Sequence, residues 1–296
     1  MFRRILIPLD GSKLSEASLG AAALLASRLE STVTLVHVVE QDPPAEVHKE
    51  HHLADAEEAK AYLDAVAQRA FPPTVKVEIH VQAAPVADVA GSIVAIADAA
   101  LKPDLIVACT HGRGGVHGLL YGSIAQQIVA QGTTPLLLVK PDSEPTQMKR
   151  LLVPLDPDSI HDDSLPTAEA LARAFQADLN LISIIPTYGT LTGEQAAASS
   201  LMPATTQAML DLAQERASDH LNQHVDALEH VGIRCHASIG RGDPAAAILK
   251  AAEETRADLI ILSTHRKSGL GAFWSRSVAP NVAQRTKTPL LLLPLQ

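Results

Sequence analysis

The 296-residue chain has few aromatic residues, two cysteines and no long apolar run. Aromatic residues make up 3% of the sequence, so a folded core has to be built from Leu, Ile, Val and Ala. Cys109 and Cys235 offer no disulfide framework, which is typical of a reducing compartment. The N-terminal apolar run ends before Asp10, which is too short for a signal peptide, and no run is long enough to span a bilayer. These absences predict a soluble cytoplasmic protein.

Basic residues are also scarce relative to acidic ones. The chain has 24 Lys and Arg residues against 33 Asp and Glu residues, a formal net charge of −9. An acidic chain without a basic cluster is a poor candidate for binding nucleic acid, and nothing in it predicts a membrane partner. With 47% hydrophobic and 19% charged residues, the composition favours packed globular domains, and the length is enough for two.

An internal repeat organises the sequence. The segment 5–10, Ile-Leu-Ile-Pro-Leu-Asp, returns at 151–156 as Leu-Leu-Val-Pro-Leu-Asp. Further along, Thr134-Pro135-Leu-Leu-Leu returns at 288–292, so the second copy carries a net insertion between the two matches. This period is too long for a solenoid and predicts two homologous domains, 1–141 and 148–296, joined by a linker at 141–147.

Strand and helix patterns alternate within each copy. Strands are predicted at 3–8, 32–39, 75–81, 104–109 and 136–139, and again at 150–155, 178–185, 233–239, 258–263 and 290–293. Helices are predicted over 14–25, 53–70, from Pro85 through Ile96, from about Ser123, and near 165–176, 204–231, 244–255 and 276–286. This alternation predicts an α/β fold with parallel sheets and helices on both faces, in which ligands bind beyond the carboxyl ends of the strands.

A glycine-rich loop follows the fourth predicted strand of the first copy. Residues 109–123 read Cys-Thr-His-Gly-Arg-Gly-Gly-Val-His-Gly-Leu-Leu-Tyr-Gly-Ser and lead into a helix. Glycines let several backbone N–H groups point at one anion, and a helix N-terminus favours negative charge. Because Asp10 also directly follows a strand, a carboxylate and a phosphate loop are expected at one cleft, as a nucleotide requires. A plain surface loop and a role for Asp10 in capping a helix are the alternatives.

Other phosphate-binding patterns do not fit. The chain has no G-x-x-x-x-G-K-[ST] sequence, which excludes a Walker loop. Its glycine series follows the fourth strand rather than the first, and no acidic residue lies at the spacing of a dinucleotide site, so binding of NAD is disfavoured.

These residues resemble the universal stress protein family, present here as two domains in tandem. The family's loop is a glycine, two residues, a second glycine, nine residues and then Gly-Ser. Gly112, the nine residues 113–121 and Gly122-Ser123 match this pattern, whereas Cys109 stands at the first glycine. Segments 5–12, 36–38 and 134–139 also resemble strands of that family.

The resemblance implies the fold and the ligand. Each domain is expected to be a Rossmann-like, adenine nucleotide alpha hydrolase-like domain with a five-stranded parallel sheet of order 3-2-1-4-5. Members that keep the loop bind ATP, which is expected here together with Mg²⁺. Asp10 would contact the ribose, the Val38 backbone the adenine edge, the Cys109 backbone the ribose, and Gly112 with Gly122-Ser123 the phosphates. The full predicted set is Pro8, Asp10, Val38, Cys109, His111, Gly112, Arg113, Gly122, Ser123 and Ile124.

The second copy departs from the loop pattern. Arg266 and Arg276 stand at the two glycine positions, where side-chain bulk meets backbone that has to approach phosphate. Loss of the usual ATP pose is therefore expected, and the alternative is that the guanidinium groups hold an anion differently. The weaker predicted set here is Asp156, Ile184, Ser263, Arg266, Arg276 and Ser277.

A regulatory role is the resulting functional hypothesis. Bound ATP would stabilise one conformation or assembly in a stress response, without an assigned catalytic residue. A slow ATP hydrolase of the same fold and an interaction module without nucleotide are the alternatives.

The resemblance also implies how the two copies associate. The last strands, 136–139 and 290–293, are expected to pair as an intramolecular pseudo-dimer, and pairing of two chains into a homodimer stays open.

No metal ligand is predicted. His48, His51 and His52 have helical spacing that could serve a metal, but a solvated helix face or loop is preferred.

Overall fold

The protein is described here by a computed structural model of residues 1–42, 46–47, 50–53, 55–110, 123–141, 143, 147–156, 162–191, 193–264 and 278–295. The strands are β1 Arg4–Pro8, β2 Thr32–Glu40, β3 Glu46–Val47, β4 Glu50–His51, β5 Val77–Val86, β6 Leu105–Cys109, β7 Leu136–Val139, β8 Arg150–Leu155, β9 Asp178–Ile185, β10 Cys235–Arg241, β11 Leu259–Thr264 and β12 Leu290–Pro294. The α-helices are α1 Lys13–Glu16, α2 Leu19–Leu29, α3 Ala56–Ala70, α4 Val89–Ile96, α5 Ser123–Gln131, α6 Leu165–Phe175, α7 Gly193–Leu201, α8 Pro203–His230, α9 Pro244–Glu254 and α10 Val278–Arg285. None of the helices in these ranges has both the length and the apolar character needed to cross a membrane.

Ten strands form one sheet, in the order β10-β9-β8-β11-β12-β7-β6-β1-β2-β5. Within each half all neighbouring strands are parallel, and each half has the predicted order 3-2-1-4-5. The halves meet where β7 and β12 run antiparallel, with Leu137 opposite Leu291. The predicted Rossmann-like α/β class is therefore confirmed.

Apolar residues alternate between two core layers, one on each face of the sheet. In β1, Ile5 and Ile7 belong to one layer, and Leu6 belongs to the other. Both layers contain residues from both halves of the chain. Strands covered on both faces need continuous apolar runs, which is why short runs of Leu, Ile and Val predicted the strands well.

The turn after β1 differs from the single predicted helix. Ser12 caps a one-turn helix, α1, by accepting a hydrogen bond from the Ser15 amide at 3.2 Å. A second helix, α2, then begins after Ser18. Domain 2 has the same helix start as α2, because α6 begins after Ser164, the residue equivalent to Ser18 in the repeat.

One further prediction about the elements was wrong. Pro85 does not open a helix, because it lies inside β5, and Asp88 caps α4 instead. β5 is an outermost strand of the sheet, where a residue without an N–H group is tolerated. The long helix predicted near 204–231 is α8, which begins at Pro203, and the separate helix α7 before it was not predicted.

Candidate functional site

A cleft opens at the carboxyl ends of β1, β2 and β6. The chain leaves β1 for β2 on one side and later returns to β6 on the other, so the cleft lies where the strand order reverses. Four residues predicted from sequence line it: Pro8, Asp10, Val38 and Cys109. The other lining residues are Leu9, Ser15, Val36, His37, Glu40, His52, Val89, Ile93, Ala108 and Ala125.

The turn after β1 holds Asp10 at the cleft. Asp10 Oδ1 accepts hydrogen bonds from the Ser12 amide at 2.9 Å and from the Ser12 hydroxyl at 2.7 Å. Ser12, and not Asp10, is the residue that caps α1. Asp10 thus lies in the cap region of α1, as the alternative interpretation expected, and it also lines the cleft.

Two buried histidines line the same cleft, and neither was predicted to do so. His37 and His52 are each 2% exposed. His37 Nδ1 lies 2.8 Å from the carbonyl oxygen of Leu9, so Nδ1 carries the donated proton. Among the described residues, His37 Nε2 and His52 Nδ1 have no hydrogen-bond partner, and His52 Nε2 lies 3.9 Å from the Glu40 carboxylate. The expectation of a solvated position is thus wrong for His52, which packs inside the cleft.

The two cysteines occupy different environments. Cys109 is half-buried at the end of β6 and lines the cleft. Cys235 is buried in the core at the start of β10, and this burial, together with the Glu229 carboxylate, raises the pKa of its thiol to about 12. A thiol with so high a pKa is almost fully protonated at neutral pH and unreactive.

Much of the predicted phosphate loop lies outside the described residues. This holds for His111, Gly112, Arg113 and Gly122 in domain 1, and for Arg266, Arg276 and Ser277 in domain 2. It also holds for His48, one of the three histidines considered for a metal. Ser123 is the first residue of α5 and Ile124 the second, so both lie in the first turn of the helix that follows the loop.

The corresponding positions of domain 2 carry different chemistry. Asp156 directly follows β8, as Asp10 follows β1. Ile184 in β9 corresponds to Val38 in β2, and Ser263 in β11 corresponds to Cys109 in β6. Ser183 stands where domain 1 has His37 when the two copies are aligned. Within the described part of the chain, the Ser183 and Ser263 hydroxyl oxygens are buried without a hydrogen-bond partner.

A second cluster of potential ligand side chains lies in domain 2, and it was not predicted from the sequence. His220 and His224, one turn apart on α8, converge on Asp162, which precedes α6. The spacing H-x-x-x-H on a predicted helix is the signal that could have identified the two histidines, because residues four apart share a helix face. Nothing in the local sequence indicates that Asp162 joins them.

The comparisons with known proteins agree with this architecture. The sequence model of the Universal stress protein family matches residues 1–140 and again 148–294. A universal stress protein from Mycolicibacterium smegmatis is 31% identical over 98% of this chain and 96% of its own length. One from Mycobacterium tuberculosis is 24% identical over 97% of this chain and 95% of its own length.

A solved structure has the same fold over the full chain. The crystal structure of a universal stress protein from Archaeoglobus fulgidus superposes with a TM-score of 0.72, covers 98% of this chain and 96% of its own, and is 19% identical. The double match to one family model agrees with the internal repeat and with the two equivalent halves of the sheet. The chain therefore belongs to the universal stress protein family, with two copies of the family's domain in tandem.

Proposed function

We propose that domain 1 binds ATP with Mg²⁺ in the cleft between β1, β2 and β6, and that the bound nucleotide acts as a regulatory signal. One observation carries the proposal: Asp10, Val38 and Cys109, predicted from three separate segments, line one cleft at the switch point of the sheet. This is where open α/β sheets bind nucleotides.

The chemistry of the cleft suits a nucleoside. Val36, Val38, Ile93 and Ala108 offer apolar surface for a base. The Asp10 carboxylate, held by Ser12, suits the hydroxyl groups of a ribose.

The buried histidines supply polar groups that a nucleoside could satisfy. With its proton on Nδ1, a neutral His37 ring presents Nε2 as an acceptor. A buried acceptor without a partner costs free energy, so a ligand that donates to His37 Nε2 gains by binding there.

The phosphates would lie toward the N-terminus of α5. Helix α5 begins at Ser123, and its amide groups together with the preceding glycine loop favour an anion. In domain 2 the glycines of the loop are replaced by Arg266 and Arg276, so we propose one ATP site per chain rather than two.

The signal would pass through the sheet. Strand β6, which ends at Cys109, is hydrogen-bonded to β7, and β7 is hydrogen-bonded to β12 of domain 2. We propose that this seam is an intramolecular pseudo-dimer interface, and that ATP stabilises the assembled state by mass action. Stabilisation by a ligand follows RT ln(1 + [L]/Kd), about 2.7 kcal/mol at 100 times Kd.

The two cysteines allow a direct test. A thiol reagent should modify Cys109, which lines the cleft, much faster than Cys235, whose pKa is raised to about 12. Saturating Mg-ATP should slow modification of Cys109 at least ~10-fold, as measured by mass spectrometry of peptides. Isothermal titration should give a stoichiometry near one ATP per chain.

Asp10→Asn is the matched variant, with Asp156→Asn as its control in domain 2. Asp10→Asn should weaken ATP binding at least ~10-fold, because a charge-assisted hydrogen bond is lost, while Asp156→Asn leaves it within ~2-fold. Full Cys109 reactivity in saturating Mg-ATP, or equal effects of the two variants, would contradict the assignment to domain 1. A stoichiometry near two would contradict the single site.

A further inference from the structure

Three potential metal ligands meet in domain 2, away from the nucleotide cleft. His220 Nε2 lies 3.0 Å from Asp162 Oδ2, and His224 Nε2 lies 3.1 Å from the same oxygen. The two Nε2 atoms lie 3.0 Å from each other. All three side chains are largely buried, between 14% and 27% exposed. The three atoms thus form a nearly equilateral triangle.

Hydrogen bonds alone cannot satisfy this triangle while Asp162 is ionised. Each imidazole Nε2 carries either one proton or one lone pair, and a carboxylate oxygen only accepts. If both nitrogens are protonated, two N–H groups face each other across 3.0 Å. If either nitrogen is unprotonated, its lone pair faces the Asp162 oxygen. Every such arrangement of protons therefore leaves one repulsive edge, whereas a cation at the centre attracts all three lone pairs.

The dimensions of the triangle match a transition-metal site. With metal–ligand distances of about 2.0 to 2.2 Å, ligand atoms are about 2.9 Å apart in an octahedral site and about 3.4 Å apart in a tetrahedral one. The observed separations of 3.0 to 3.1 Å lie within that range. Two imidazoles and one carboxylate are ligands that suit zinc and its neighbours better than the hard cations Mg²⁺ and Ca²⁺.

We propose that Asp162, His220 and His224 bind one divalent transition-metal ion of the zinc class. The two histidines lie four residues apart on α8, so one helix face presents both nitrogens. Asp162 comes from the short 3₁₀ turn Asp162–Ser164, which leads into α6. The metal would join this turn to the 28-residue helix α8, which packs against the edge strand β10 and its neighbour β9.

Domain 1 has different side chains at the equivalent position. Glu16 precedes α2 as Asp162 precedes α6, and the two carboxylates are equivalent in the repeat. Tyr62 corresponds to His220, because the buried Ala59 and Leu63 of α3 match Ala217 and Leu221 of α8 when the two helices are aligned.

The domain 1 carboxylate has ordinary partners. Glu16 accepts a hydrogen bond from the Tyr62 hydroxyl at 2.9 Å and forms an ion pair with Arg69. Domain 2 has Ala227 at the position of Arg69, so the arginine that pairs with Glu16 has no counterpart there. In the same alignment His224 stands at the position of Val66. The domain 2 carboxylate therefore meets two imidazoles, where that of domain 1 meets a hydroxyl and a guanidinium.

Two further polar atoms of the cluster are buried. Among the described residues, Asp162 Oδ1 and His220 Nδ1 are buried without hydrogen-bond partners. Asp162 Oδ1 can serve as the second oxygen of a bidentate carboxylate or accept from a metal-bound water. His220 Nδ1 then keeps its proton, as a ring bound through Nε2 requires.

Titration of the full chain with Zn²⁺ tests the proposal. The protein is prepared without a polyhistidine tag, treated with EDTA and exchanged into metal-free buffer. Isothermal titration should give one Zn²⁺ per chain, and thermal unfolding should shift to higher temperature at saturation. Co²⁺, bound in place of Zn²⁺, should give visible absorption bands, and their intensity separates tetrahedral from octahedral coordination.

Substitutions distinguish this site from other histidines. Asp162→Asn, His220→Asn and His224→Asn should each weaken Zn²⁺ binding at least ~10-fold, whereas His230→Asn, an exposed histidine on the same helix, should leave it unchanged. His220→Tyr restores the domain 1 pairing and should fold without metal while losing the Co²⁺ bands. Absence of Zn²⁺ binding by the wild-type chain, or binding that survives His220→Tyr, would overturn the proposal. Neither result bears on ATP, which is measured at the Asp10 cleft.

Discussion

Gly11 lies in the turn that carries the chain from β1 past Asp10 into α1, and its backbone has a φ of +91°. Side chains rarely adopt this conformation, and a Cβ atom there would also lie 2.9 Å from Leu53 Cγ and 3.0 Å from Leu53 Cδ1. The close contact is with the side chain of the residue next to His52, so this turn and the histidine segment of the cleft are packed against each other. Replacement of Gly11 should therefore disturb both the fold and the cleft.

Gly11→Ala should lower the free energy of unfolding by about 1–3 kcal/mol, because it adds strain in the left-handed region and a clash with Leu53. Gly20→Ala is the matched control. Gly20 lies exposed in α2, and apart from the neighbouring backbone of its own helix no atom lies within 4 Å of the added Cβ. Alanine there should therefore stabilise the protein by about 0.5–1 kcal/mol. Urea unfolding followed by circular dichroism measures both values. A change of the same sign in both variants would contradict this explanation.

The residues of the cleft were predictable where a local pattern marked them. Asp10 follows a buried strand, so sequence order placed it at the carboxyl edge of the sheet. Val38 and Cys109 were expected in the site through the resemblance to the family. His37 and His52 were not predictable as cleft residues, because their burial depends on packing between distant segments. The same holds for Asp162, which lies 58 residues from His220 in sequence and 3.0 Å from it in space.

In each half, an aspartate just before the fourth strand of the domain binds the backbone at the start of the first strand. Asp104 accepts hydrogen bonds from the amides of Arg3 and Arg4, each at 2.9 Å. In domain 2, Asp258 is the equivalent residue of the repeat, and it accepts from the amides of Lys149 and Arg150, each at 3.0 Å. One carboxylate thereby aligns β6 with β1, and the other aligns β11 with β8.

Asp104→Ala and Asp258→Ala should each destabilise the protein by about 1–2 kcal/mol, because each removes the acceptor of two amide groups at a strand end. Asp98→Ala is the control, since Asp98 is an exposed carboxylate in the same domain as Asp104. Urea midpoints should fall similarly for the first two variants and stay within ~0.5 kcal/mol of wild type for the third. A loss confined to one of the two aspartates would show that the repeated contacts are not energetically equivalent.

At the scale of elements, the strands were predicted better than the helices. Buried strands carry short continuous apolar runs such as 105–108, and a run of this length predicts a buried strand. Helix boundaries were harder to predict because proline acts differently according to its position. Pro85 is tolerated in β5 because β5 is an edge strand, whereas Pro203 begins α8 and separates it from α7.

The whole molecule has approximate twofold symmetry centred on the seam between β7 and β12. Leu137 pairs with Leu291, and these two residues are equivalent in the repeat. On one face of the sheet the Arg28 side chain of α2 donates to the carbonyl of Ala174 in α6, again an equivalent pair. Contacts between equivalent positions are what the proposed intramolecular pseudo-dimer would produce.

Leu137 and Leu291, which are paired between β7 and β12, should therefore contribute to stability in a coupled, non-additive way. Leu137 and Leu291 are 1% and 2% exposed, and replacement of either by alanine should cost about 2–5 kcal/mol through lost burial and a cavity. Because the two residues are paired across the strands, the loss of unfolding free energy in the double variant should differ from the sum of the two single losses by about 0.5–3 kcal/mol.

Leu137→Ala combined with Leu181→Ala is the matched control. Leu181 is fully buried in β9, four strands from β7 in the sheet, or about 19 Å at a strand spacing of about 4.8 Å. At that distance the two costs should add within about 0.5 kcal/mol in urea unfolding. If the Leu137–Leu291 pair were equally additive, the two domains would be adjacent without being coupled. A ligand bound beside β6 could then not act on domain 2 through this strand pair.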